Sequence, residues 1–160
     1  MSTVTVDRTI DQLNSLLRGE ISAVETYRQA IQKVDDGHAS DATALRGIAL
    51  EHGEAAQALR DEIRRLGGEA DESSGAWGAW AKAVEATAKL FGDTAALKAL
   101  KEGEEHGLKD YREALGDVDE PARVLISTRL IPNQVRHVAV LDGMIAKFDR
   151  LGSGLNSGQG

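Results

Sequence analysis

Apolar residues recur at helical spacing through most of the chain. Leu13, Leu17, Val24, Ile31 and Val34 form one run, and Leu45, Ile48, Leu59, Ile63 and Leu66 a second. Leu97, Leu100, Leu108 and Leu115 form a third, and Leu130, Leu141, Met144 or Ile145, and Phe148 a fourth. Steps of three and four put each run on one face of an amphipathic helix. Turn residues punctuate the runs at Asp35–Ser40, Gly67-Gly68, Gly92-Asp93 and Gly116–Pro121. The pattern predicts four long helices, over about 7–34, 41–66, 94–115 and 120–151. Asp119 is placed to cap the last, with Pro121 in its first turn. Pro132 lies inside that helix and should kink or split it. Short links make helices one and two an antiparallel hairpin, and helices three and four another. The long link between the hairpins carries Trp77, Trp80, Val84 and Phe91 on one face, which predicts a short amphipathic helix over 76–91. The expected architecture is an all-α four-helix bundle, one domain over 1–151. Residues 152–160 are a Gly/Ser-rich tail expected to be disordered.

Each apolar stripe is interrupted by a polar residue. Glu20 breaks the first and Glu104 the third; His52 sits in the second, one heptad from Leu45 and one from Leu59; Gln134 and His137 break the fourth. The first and third interruptions share a motif: Glu20 and Glu104 are each followed seven residues later by Tyr-Arg-x-Ala, at Tyr27 and Tyr111. Seven residues are close to two turns, so each Glu shares a face with its Tyr. Glu105 and His106 leave the stripe and should face solvent.

Composition narrows the chemistry. The chain is 41% hydrophobic but only 4% aromatic, so its core must be aliphatic, and two prolines in 160 residues suit long helices. The net charge is −7, and no basic stripe is visible, which argues against nucleic acid. No cysteine is present, which removes disulfides, thiolate ligands and thiol nucleophiles. No apolar run is long enough to span a bilayer, and no secretory signal is evident at the N-terminus. A cytoplasmic location is the expectation, with no membrane partner.

A buried unpaired charge costs several kcal/mol, roughly, and a divalent metal would remove that cost by coordinating carboxylates and imidazoles. Bundles that hold two metals use one Glu from each of two helices and a Glu-x-x-His pair from each of the other two. Here the repeated Glu-x6-Tyr motif, the stretch from Glu51 to Gly68 ending Arg-Arg-Leu-Gly-Gly, and the Trp-bearing link carry a further signal. The chain resembles the ferritin-like superfamily, and within it a bacterial family of uncharacterised four-helix bundles. The resemblance is good over about 8–116 and looser in helix four. It implies the fold, with Glu20 and Glu104 in the single-carboxylate positions and Tyr27 and Tyr111 as their adjacent tyrosines. The second metal-binding pair is not spelled out. Helix four offers Gln134-x-x-His137, an amide in place of a carboxylate. In helix two periodicity favours His52, whereas the resemblance favours Glu51 and Glu54.

The sequence therefore predicts a metal-binding ferritin-like bundle. Its candidate ligands are Glu20, His52, Glu104 and His137, with Glu51 and Gln134 as accessory groups. Iron is the first expectation, as one or two ions, with manganese or zinc as alternatives and a role in oxidation or stress. The competing expectation is a metal-free, non-catalytic bundle whose polar core sets helix register, acting as an interaction or self-association module. A homo-oligomer stays open under either.

Overall fold

The computed structural model describes residues 4–34, 39–73 and 93–156. Among them the chain is all-helical. Helix α1 spans Val6–Val34, α2 Ala39–Arg65, and α3 Asp93–Ala114. The fourth rod is divided into α4, Glu120–Leu125, a π-helical turn at Ile126–Leu130, and α5, Ile131–Asn156. The expected short helix over 76–91 falls outside the described residues, as do residues 157–160. The last helix runs to Asn156, so the stretch expected to be a disordered tail from 152 is helical over its first five residues.

Helix ends follow local chemistry. Asp119 caps α4, its carboxylate accepting from the Ala122 N–H at 3.1 Å, with a proline in the first turn. After α2 the Gly68 N–H donates to the Ile63 carbonyl and the Gly67 N–H to the Arg64 carbonyl, both at 2.9 Å. Gly67 has φ +80°, which completes a Schellman stop that only glycine adopts easily. Gly68 is needed for a different reason: a Cβ there would come within 2.9 Å of the Ile10 side chain.

The rods pack in a ring, with α1 against α2 and α3, and α5 against α3 and α2. Two apolar clusters fill the centre. One joins Leu13 and Leu17 of α1, Leu59 and Ile63 of α2, Tyr111 and Ala114 of α3, and Ala122 and Ile126 at the start of the fourth rod. The other joins Tyr27, Leu45, Ile48, Leu97, Leu100, Leu141 and Met144. The first cluster thus holds the start of α1 and the ends of α2 and α3. Adjacent rods are therefore antiparallel. Just past α2, the Asp71 N–H donates to Asn14 Oδ1 at 2.8 Å, and the Asp71 carboxylate pairs with Arg18, so the outgoing chain begins to climb along α1.

Pro132 acts through register as well as through its missing N–H. The buried positions Ala122, Ile126, Leu130 and Gln134 are each four residues apart. On an ideal α-helix three such steps drift by about 120°. The π turn, closed by the Ile131 N–H on the Ile126 carbonyl, holds one extra residue and takes up that drift. Ser127 and Thr128 hydroxyls donate to the Arg123 and Val124 carbonyls of the preceding turn. The split expected at Pro132 is thus displaced one turn upstream, and Gln134 and His137 return to the core.

Candidate metal centre

Between the two apolar clusters lies a polar belt of Glu20, His52, Glu104, Gln134 and His137, all buried. Each comes from its apolar stripe, so packing drives it inward. The uncertainty over helix two is resolved: His52 points to the core, Glu51 lies at its edge, and Glu54 is exposed beside Arg129. Glu105 and His106 are exposed, as their phase required.

His52 bridges two carboxylates. Its Nδ1 lies 2.5 Å from Glu20 Oε2 and its Nε2 lies 2.6 Å from Glu104 Oε1. Ionised carboxylates only accept, so both ring nitrogens carry protons in this arrangement. Burial alone would lower the pKa of His52, but the flanking Glu20 and Glu104 charges override it and raise it to about 10. The same contact appears from the other side. Burial pushes Glu104 upward, and the charge of His52, with His137 close beside the carboxylate, brings it down to about 2.

The two motif copies are cross-paired. The Tyr27 hydroxyl donates to Glu104 Oε1 at 2.5 Å, and the Tyr111 hydroxyl donates to Glu20 Oε1. Each tyrosine therefore serves the glutamate of the other copy. Burial, followed by the charge of the accepting carboxylate, raises both phenols well above their usual value and keeps them protonated. The symmetry extends further. Glu20 and Glu104 are 84 residues apart, as are Tyr27 and Tyr111; His52 and His137 are 85 apart, the extra residue matching the π turn.

His137 breaks the closed network. Its Nε2–H donates to Glu51 Oε2 at 2.6 Å, and Arg136 pairs with the same carboxylate. Burial opposes it, but Arg136 and His137 together hold Glu51 below the usual carboxylate range. With Nε2 turned to Glu51, His137 directs its other ring nitrogen, Nδ1, into the core. It faces Glu104 Oε2 at 3.4 Å, and both atoms are buried without a hydrogen-bond partner. In the neutral ring the Nδ1 lone pair faces the carboxylate across a gap that a metal cation would fill, as a proton on Nδ1 would in the charged ring. His52, Glu104 and His137 each offer one ligand atom, and these atoms all lie within 4.8 Å of one another.

The other candidates surround that trio. Glu20 stands behind His52, and Glu51 behind His137. Each therefore orients a histidine through the ring nitrogen turned away from the trio, as carboxylates do behind metal-bound imidazoles. Gln134 donates its amide to the Glu104 backbone carbonyl at 3.0 Å. Gly107 makes this approach possible, because a Cβ there would lie 2.7 Å from Gln134 Nε2. Nothing in the residue pattern alone marked Gly107, since its role exists only across the α3–α5 seam.

Fold and site together define an all-helical bundle with a buried two-histidine, one-glutamate cluster able to hold a metal ion. The chain belongs to the family described as "Domain of unknown function (DUF2383)", whose model matches residues 8–117. That stretch contains Glu20, His52, Glu104 and both tyrosines, and ends before His137. No curated protein matches, and no solved structure does. Among the described residues no helix is long and apolar enough to cross a membrane.

Proposed function

We propose that this protein is a metal-binding bundle of ferritin-like connectivity with one divalent ion per chain. His52, Glu104 and His137 would hold the ion, Glu20 and Glu51 would orient the two histidines, and Tyr27 and Tyr111 would brace the carboxylates. The observation that carries the reading is the gap between Glu104 Oε2 and His137 Nδ1, two buried atoms with no other partner. Linkage supports it: ligand atoms must be deprotonated, so a divalent ion would take the place of a proton now held on His52 between the two carboxylates.

Two histidines and one carboxylate suit ferrous iron with open coordination positions, and also zinc. Iron is the first candidate, with zinc and manganese as competitors. Such an ion would supply Lewis acidity or an electron at its open positions. The resemblance to ferritin-like proteins extends the reading to oxidation or stress. The ends of α2 and α3 share the first apolar cluster, which supports the ferritin-like connectivity.

Metal analysis of protein from iron-supplemented cells tests the proposal. About one ion per chain is expected, lost in both Glu104→Ala and His137→Ala. Trace metal that neither substitution changes would overturn it.

A second reading has its own support. Leu50 is 65% exposed and Val135 45% exposed, each next in sequence to a member of the Glu51–Arg136 pair that crosses the α2–α5 seam. This face suits self-association. Sedimentation of the wild type against Leu50→Glu with Val135→Lys tests it: a dimer reduced to a monomer supports the reading, and a wild-type monomer refutes it.

A further inference from the structure

Among the described residues a cleft separates α1 from α3 and reaches the belt at Glu20, His52, Glu104 and Gln134. Its walls are built from small residues: Ser15, Gly19 and Ala23 on α1 face Gly103 and Gly107 on α3. Glu20, His52, Glu104 and the two tyrosines also line it. The cavity measures about 60 Å³, room for a few water-sized bodies where one needs about 10–15 Å³. Tyr27 and Tyr111 cross this seam in opposite directions to reach their glutamates, so the two helices are held apart by struts.

Gly19 has no packing reason to be glycine. A Cβ there would meet nothing within 4 Å, and its backbone is ordinary helix. Glycine weakens a helix interior relative to alanine. What the missing side chain does is leave space in the cleft wall.

Charge selects what can enter. No lysine or arginine is among the described lining residues, and the carboxyl groups of Glu20, Glu104 and Asp110 outnumber the one cation there, the His52 imidazolium that Glu20 and Glu104 already flank. Anions are repelled by such a wall, and its largely apolar remainder disfavours a hydrated cation. We infer that the α1–α3 cleft is an entry slot that admits a small uncharged molecule to the His52–Glu104 face of the core. The slot leads to the centre proposed above, and its role there rests on that reading; its existence as a binding cavity does not.

Xenon is the probe for the metal-free protein. Under xenon pressure the amide resonances of Gly19, Gly103 and Gly107 should shift to saturation. Gly19→Leu should weaken that response at least tenfold, and Gly19→Ala should weaken it less. Ala23→Leu is a second plug if Gly19→Leu does not fold. Shifts absent from these amides, or unchanged by a folded plug variant, would overturn the slot. In the iron-loaded protein, nitric oxide serves as a neutral probe and azide as a charged one. Nitrosyl EPR signal should appear at least tenfold more slowly in Gly19→Leu at equal iron content, and azide should leave the ferrous centre unchanged. An equal nitric oxide rate, or azide binding as fast as nitric oxide, would overturn the access role. A protein that takes up no iron defeats the metal centre instead, and the xenon result still decides the slot.

Discussion

His52 holds the core together by touching a carboxylate on each side, and its energetics depend on that pairing. Its pKa is raised, so its stabilisation is fully present below the unfolded value near 6.5 and is lost as pH climbs toward about 10. Glu104 is lowered, so its share is present above its unfolded value near 4.5 and is lost as pH falls toward about 2. Urea titrations of metal-free protein should therefore show greatest stability between roughly pH 4.5 and 6.5. A maximum at pH 9 would contradict the imidazolium. Glu104→Ala strands His52 and Tyr27 at once, and should destabilise the metal-free protein by about 3 kcal/mol or more. Replacing Glu20, His52 and Glu104 by leucine together with Tyr27→Phe and Tyr111→Phe removes the charges and the hydroxyls they satisfy as a set. That variant should equal or exceed the wild type in denaturant midpoint.

Helices here differ in what their glycines do. Gly53 in α2 would place a Cβ in open space, so Gly53→Ala should gain about 1 kcal/mol from helix propensity. Gly107→Ala carries the same propensity gain but drives into Gln134, so it should fail to stabilise and should lower metal affinity by displacing Glu104. Chemical denaturation and a cobalt titration would separate the two variants. The fourth rod offers a sharper case. Because the π turn is one added residue, deleting Thr128 together with Pro132→Ala should restore a plain α-helix and keep Gln134 and His137 facing inward. Retention of the circular dichroism signal and the melting temperature within a few degrees would bear this out. Deleting Asn133 from the wild type instead rotates His137 by about 100° relative to the preceding rod, and should unfold the belt.

The whole bundle couples folding to the ion. A ligand that binds only the folded state stabilises it by about 2.7 kcal/mol at a hundredfold excess over Kd. Ferrous, zinc or manganous ion should therefore raise the melting temperature, with a titration that ends near one equivalent per chain. Because His52 holds two protons before loading, ion uptake in weak buffer near pH 7 should release about one proton. A melting temperature unmoved by all three ions would favour the scaffold reading.

The sequence by itself determined four long helices and which of their faces turn inward, because the apolar period of each stripe admits one buried face. It also determined that Glu20, His52, Glu104 and His137 lie in those faces, since each occupies a stripe position. The outward phase of Glu105 and His106 followed from the same period. Only the tertiary structure decided how these groups pair. Each tyrosine bonds the glutamate of the other motif copy, Glu20 and Glu51 stand behind histidines, and Gln134 locks onto the α3 backbone over Gly107. The π turn, which brings His137 into line, was also beyond the residue pattern. Periodicity tells which way a side chain leaves its own axis. Distances between side chains on different rods depend on how the rods cross, slide and rotate against one another, and that is set by packing across seams far apart in the chain.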